Sequence, residues 1–212
     1  MQVLYSDTNK LFGKTFYFLG SSVTFGVGDE GVSFVEFIRE RNGCKCIKEA
    51  VCGTTLADVD DGSYVHRFMN NCDPDLKPDH FICQLSTNDS GRDNVLLGEI
   101  SDSFDPDDFD TTTTIGAMEF IIYKAMEIWQ CPVSFYTGTK FESPRYSAMV
   151  EALFKLQKKW SIGIIDLWNQ SGLCTEVDAV MKKYMNDFVH PNERGYEEWW
   201  TPIFESHLAK YE

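Results

Sequence analysis

Four short stretches of the chain carry residue types that together could perform nucleophilic acyl transfer: Gly20-Ser21-Ser22-Val23-Thr24, Cys52-Gly53-Thr54-Thr55, Ser86-Thr87-Asn88-Asp89 and Asp187-Phe188-Val189-His190-Pro191. A serine hydroxyl is a poor nucleophile until a base takes its proton. Histidine is the base suited to neutral pH, and a carboxylate fixes the tautomer of the imidazole and stabilises its protonated form. Asp187 lies three residues before His190, a spacing that lets one local loop present both. The oxyanion of a tetrahedral intermediate then needs donors, and the Ser22 N–H, the Gly53 N–H and the Asn88 side-chain amide are three candidates. Taken singly, each stretch has an ordinary structural reading: a small-residue turn, a capping histidine before Pro191, an Asx turn at a strand end. Their conjunction supports the catalytic reading, in which residue types alone leave Ser21 and Ser22 as rival nucleophiles.

These residues need a scaffold that brings distant parts of the chain together. Short apolar runs at 15–19, 45–51, 80–86, 132–138 and 162–168 read as five strands, separated by longer segments of helical period. The segments 33–41, 115–129 and 146–160 place apolar residues three and four apart, as helices covering a sheet do. The last segment, EEWWTPIFESHLAKY, reads as a closing helix broken or restarted near Pro202. Alternation of strand and helix implies an α/β domain with a five-stranded parallel sheet. In such a sheet ligands bind outside the carboxyl ends of the strands, where the first three stretches fall.

One domain is expected over residues 1–212, with an N-terminal extension at 1–14 and an acidic loop insertion at 90–114. A loop that long in an α/β domain is a lid or a surface excursion, and its acidity favours the excursion. The formal net charge of −14 opposes binding to nucleic acid, which requires clustered Lys and Arg. No run approaches the roughly 20 apolar residues of a membrane span, and the first residues lack a secretory pattern, so a cytoplasmic location is expected if Met1 is the natural start. Seven cysteines, mostly in apolar runs, imply reduced core thiols rather than a disulfide framework. Cys44 and Cys46 have no nearby histidine to make a zinc site, and no metal is expected.

The blocks GSSVTFG, AVCGTT, LSTND and DFVHPNERGY resemble, in the same order, the four blocks of the SGNH hydrolases, also called GDSL esterases or lipases. The resemblance spans nearly the whole chain. It implies a flavodoxin-like three-layer α/β/α sandwich, Ser22 as nucleophile, Ser22, Gly53 and Asn88 at the oxyanion hole, His190 as base and Asp187 as its orienting acid. It further implies a small-molecule ester substrate, such as an O-acetyl group on carbohydrate, and no cofactor; a hydrolase of longer acyl chains or thioesters, or a binding protein without turnover, are the alternatives. Two positions depart from the pattern. Ser21 stands where the family usually has an acidic residue, and Ser86 where its third block usually has glycine.

Two rival motifs are weaker. Gly26-Val27-Gly28-Asp29-Glu30-Gly31 satisfies G-x-G-x-x-G, with Glu49 at about the distance of a ribose-binding acid, but it starts several residues past the strand and its acids would repel a pyrophosphate. Cys52 or Cys83 paired with His190 is disfavoured because each adjoins an apolar strand. Trp199 and Trp200, adjacent on the closing helix, can split between the core and an acyl pocket.

Overall fold

The computed structural model describes residues 9–170 and 177–211. Its centre is one all-parallel sheet of five strands: β1 (Thr15–Gly20), β2 (Lys45–Ala50), β3 (His80–Gln84), β4 (Val133–Tyr136) and β5 (Gly163–Ile165). The spatial order is β2-β1-β3-β4-β5, so the chain reverses its direction of travel across the sheet after β2. Each expected strand is present; β1 runs one residue further, to Gly20, and the other four are shorter, mainly because their last residues leave the sheet.

Alternation along β1 builds the layers. Phe16 and Phe18 enter one apolar core, with Ile82, Tyr136 and Ile165. Tyr17 and Leu19 enter the other, with Phe81, Cys83 and Phe135. The first face is covered by α2 (Phe34–Asn42) and α8 (Thr201–Leu208), which contribute Phe34, Ile38, Phe204 and Leu208. The second is covered by α3 (Tyr64–Asn71), α5 (Thr114–Trp129) and α6 (Pro144–Trp160). The result is a three-layer α/β/α sandwich of flavodoxin-like order.

Capping explains several boundaries. Ser33 and Glu36 form a reciprocal capping box on α2, a device worth about 1 kcal/mol. Ser143 accepts from the Tyr146 N–H at the start of α6, where Pro144 occupies the first turn. The chain ends as expected from Pro202: a π-helical turn over Gly195–Trp200 runs directly into α8, whose first turn holds the proline. Trp200 is fully buried and Trp199 packs against Tyr184 at a centroid distance of 5.9 Å, so the pair joins the core. Leu11, within the expected N-terminal extension, is also buried in the first core.

The acidic segment between Ser90 and Thr114 is a folded excursion. Buried Val95 and Phe109 anchor it, and Glu119 of α5 accepts hydrogen bonds from the Ser101 N–H, from Lys159 Nζ at 2.6 Å and from Trp160 Nε1. Both of its ends approach the carboxyl rim of the sheet: Arg92 lines the cleft beside Ser22, and the Thr111 carbonyl accepts the Asp58 N–H on the loop after β2. All six cysteines among the described residues are free. Among those residues no helix is long and apolar enough to cross a membrane.

Candidate active site

The chain turns sharply from β1 into the four-residue helix α1 (Ser22–Phe25). Gly20 allows this because a Cβ there would lie 1.8 Å from Thr24 Oγ1. Thr24 Oγ1 and the Ser21 N–H both donate to Gln84 Oε1 on β3, at 2.8 and 2.9 Å, which ties the turn to the centre of the sheet. Ser22 emerges as the first residue of α1, mostly buried but open on the cleft side.

The partner histidine arrives from the other end of the chain. Between α7 (Val177–Tyr184) and the π-helical turn, residues 185–191 form a closed loop. A bridge between Met185 and Pro191 and a hydrogen bond from the Asn186 N–H to the His190 carbonyl close it. Asp187 Oδ1 accepts from the backbone N–H groups of Val189 at 2.7 Å and His190 at 2.8 Å. Its Oδ2 lies 2.8 Å from His190 Nδ1, and His190 Nε2 lies 2.8 Å from Ser22 Oγ. Burial pushes the Asp187 carboxyl up, but the bonds from the imidazole and the two N–H groups outweigh it and hold it below the usual range. It is therefore a carboxylate, able to hold the Nδ1–H tautomer and leave Nε2 free to accept the hydroxyl proton.

The Ser22 N–H adjoins this chain of groups, and the Gly53 N–H lies on the loop after β2 that Asn88 bonds through the Thr54 carbonyl. Among the described residues neither the Ser22 N–H nor the Gly53 N–H has a protein acceptor. Gly53 has a positive φ of 78°, which favours glycine, and sits on the exposed turn after β2. Asn88 is the first residue of α4 (Asn88–Gly91), and its amide donates to the Thr54 carbonyl at 2.9 Å and to Ser21 Oγ at 3.3 Å. The structure thus brings Ser22, Asp187 and His190 into one hydrogen-bonded line. Gly53 and Asn88 lie on neighbouring loops, linked through Thr54.

The departures from the sequence pattern are filled by hydrogen bonds. Ser21 is fully buried and takes the Asn88 amide, while His190 faces Ser22. Ser86 Oγ accepts the Asn88 backbone N–H at 3.2 Å and donates to the Thr54 carbonyl at 3.3 Å, so it braces both ends of the Asn88 contact. Asp89 is fully buried behind it and accepts from the N–H groups of Leu56 and Ala57 at 2.8 and 3.1 Å, holding the loop after β2 against α4. Burial raises its carboxyl pKa despite those bonds.

An open cleft of about 330 Å³ lies over Ser22 and His190. Phe141 and Val189 supply its larger apolar side chains, and Thr87, Asn88, Ser90 and Arg92 its polar ones. Among the described residues no three His, Cys, Asp or Glu side chains converge as metal ligands.

At this level the fold can be compared with known proteins. No family profile matches the chain, and no curated protein matches it. Solved structures do. A Lactobacillus plantarum protein superposes with a TM-score of 0.75 at 20% identity, over 94% of this chain and 96% of that one. A Bacteroides ovatus protein assigned as a GDSL-like lipase gives 0.67 at 15% identity over 93% and 99%. An acetylxylan esterase from Geobacillus stearothermophilus gives 0.64 at 13% identity over 93% and 94%. The chain has the SGNH, or GDSL-like, hydrolase fold.

Within that SGNH-type fold, the rival motifs acquire structural roles. Gly26 ends α1, donating its N–H to the Ser22 carbonyl, and Gly31 returns to the Gly26 carbonyl, so these glycines shape the turn after α1. Glu49 pairs with Arg67 at 3.0 Å. Cys83 is buried in the core, where desolvation pushes its thiol far up.

Two arginines escaped the sequence reading. Arg67 is buried and donates to the Gly20 carbonyl at 2.8 Å, Glu49 and Thr54 Oγ1, which knits β1, β2 and the Gly53 turn together. Arg92 donates to the Gly53 carbonyl at 2.6 Å. Neither belongs to a local pattern; an arginine in a half-apolar helix was the only signal for Arg67.

Proposed function

We infer that the protein is a serine hydrolase of small esters, with Ser22 as nucleophile, His190 as general base and then acid, and Asp187 as the carboxylate that orients it. The observation that carries this reading is the unbroken line from Ser22 Oγ through both nitrogens of His190 to Asp187, with each step 2.8 Å, at the floor of an open cleft. The esterase and lipase-type neighbours support the same reaction class.

On this reading the reaction runs in two halves. Ser22 Oγ attacks the ester carbonyl carbon while its proton passes to His190 Nε2, and Asp187 stabilises the imidazolium. The carbonyl oxygen becomes an oxyanion and takes the N–H groups of Ser22 and Gly53. The longer, weaker of the two Asn88 amide bonds, that to Ser21 Oγ, is the one whose hydrogen turns to the oxyanion. Collapse breaks the ester C–O bond and returns the proton from Nε2 to the departing alcohol. Water then attacks the acyl-Ser22 carbonyl by the same route, which releases the carboxylic acid and restores the hydroxyl.

The small size of the cleft, about 330 Å³, supports a short acyl group on a hydroxyl-rich alcohol, such as an O-acetyl sugar, over a long acyl chain. Purified protein should hydrolyse p-nitrophenyl acetate faster than p-nitrophenyl octanoate and should react with a fluorophosphonate probe. Ser22→Ala should abolish both. Equal hydrolysis by wild type and Ser22→Ala removes Ser22 from the mechanism, a rate that climbs with chain length replaces the small-ester assignment by a lipase-type one, and folded wild type that takes no probe points to a binding protein.

A further inference from the structure

We propose that Arg92 is a positioning residue that sets the orientation of the Gly53 donor; this rests on the reading of Ser22 and Gly53 given above. The reason lies in the weakness of glycine as a scaffold. An oxyanion donor is effective only if its N–H is already aimed before charge develops. Glycine has the widest backbone freedom of any residue, and at Gly53 no heavy atom beyond its chain neighbours lies within 4 Å of where a Cβ would be. Packing therefore does not fix this peptide. Val51, Cys52 and Gly53 are all exposed, unlike the buried Thr54 and Thr55 that follow.

Hydrogen bonds must do what packing does not. Thr54 Oγ1 donates to the Val51 carbonyl at 2.7 Å and closes the turn, but this leaves the Gly53 carbonyl untouched. That carbonyl accepts from Arg92 Nη2 at 2.6 Å, a short, charge-assisted bond. The bond restrains one of the two peptide planes that meet at the Gly53 Cα; the other, which carries the N–H, is joined to it through φ, 78° here, and ψ, so holding the first narrows the range open to the second.

The guanidinium is itself held. Its Nη1 pairs with Asp60 Oδ2 at 3.1 Å, which uses the planar fork of an arginine rather than a single point charge. The Arg92 carbonyl accepts from Arg145 Nη1 at 3.2 Å, and Arg145 Nη2 donates to the Val95 carbonyl, so α6 anchors the backbone from which Arg92 reaches out. Arg92 also closes α4, the four-residue helix that begins with Asn88. One short element therefore carries the side-chain donor at its first residue and, through the residue after its last, steers the backbone donor. Arg92 lines the cleft with Ser22 and His190, so a contact with substrate is the competing role, and kinetics separates the two.

The test compares Arg92→Ala, Arg92→Lys and Asp60→Asn with wild type. A positioning role lowers kcat of p-nitrophenyl acetate hydrolysis and the fluorophosphonate labelling rate by about 10- to 100-fold in Arg92→Ala, with KM within about threefold. Arg92→Lys, which can reach Gly53 or Asp60 but not hold both as a fork, recovers part of the rate, and added guanidinium raises the rate of Arg92→Ala. Asp60→Asn falls between wild type and Arg92→Ala. Independently of turnover, the ¹⁵N order parameter of the Gly53 amide should drop in Arg92→Ala while that of Asn88 holds. An unchanged kcat, a loss confined to KM, or an unchanged Gly53 amide overturns the proposal. Wild type that neither hydrolyses nor labels, or labelling that persists in Ser22→Ala, sinks the Ser22 reading instead, and the Gly53 amide measurement still decides whether Arg92 orders that turn.

Discussion

A serine hydroxyl meets an imidazole at both ends of this sheet, with opposite surroundings. At the carboxyl rim Ser22 Oγ lies 2.8 Å from His190 Nε2; at the amino end Ser134 Oγ lies 2.8 Å from His80 Nε2 and 2.9 Å from His207 Nε2. The rim pair opens on a cleft, and a carboxylate holds its second ring nitrogen. The inner cluster is sealed. Ser134 and His80 are fully buried, Tyr211 stacks edge-on over His80 at 4.5 Å, and a Cβ on Gly163 would come within 2.1 Å of Ser134 Oγ. Among the described residues His80 Nδ1 has no hydrogen-bond partner, and no carboxylate pairs with either inner ring. Burial drives the His80 pKa down to about 3 and the His207 pKa to about 4, the first helped by His207 and the second by Lys210. The same pair of side chains is thus poised for proton transfer in one place and works as a neutral structural linker in the other. Solvent access and an orienting carboxylate make the difference.

Substitution should split the two regions cleanly. Ser22→Ala should cost on the order of 10³-fold or more in hydrolysis with little change in melting temperature. Ser134→Ala should keep hydrolysis near wild type but destabilise the fold by about 1–3 kcal/mol, because it strands two buried imidazole nitrogens. Denaturant melts beside initial-rate assays read both, and loss of activity in folded Ser134→Ala would break the contrast.

A smaller effect is expected at the carboxylate that the inner cluster lacks. Asp187→Asn should lower kcat by about 10- to 1,000-fold, since the amide permits the wrong imidazole tautomer. The half-exposed position of Asp187 and its two backbone bonds argue for less than the full loss at Ser22. A rate within twofold of wild type would mean that Asp187 serves only to shape the loop.

The most gradual effect, spread over several pH units, should come from pH. His80 and His207 have folded pKa values below the ordinary 6.5, so the unfolded chain takes up protons first as pH falls. The stability they contribute is fully present above about 6.5 and drains away toward about 4 and then 3, by at most ~1.4 kcal/mol per pH unit for His80. Urea melts from pH 7 to 4 would track the inner cluster, and kcat/KM over the same range would track the rim. His80→Gln should flatten the first curve and leave the second in place.

Much of this architecture was legible in the chain. Five apolar runs became five strands, and the spacings in 33–41, 115–129 and 146–160 became α2, α5 and α6, because amphipathic period and capping depend on residues near in sequence. α3 and α7 escaped notice because eight residues hold barely two turns and leave little period to detect. The Asp187–His190 loop is local as well, since a carboxylate three residues back can bond the histidine's own N–H and ring.

What the residue order alone determined was the set of parts: small residues at strand ends, an Asx-type loop carrying the imidazole, and apolar faces of the correct period. Tertiary structure decided which parts meet. The contrast between Ser22 and Ser21 follows from the turn at Gly20, which buries one hydroxyl toward Asn88 and turns the other to a histidine 168 residues away. The grip of Arg92 on Gly53 and the sealing of Ser134 between two histidines depend likewise on how distant elements pack and register across parallel strands. Such contacts are set by packing between elements, a property that no local spacing encodes.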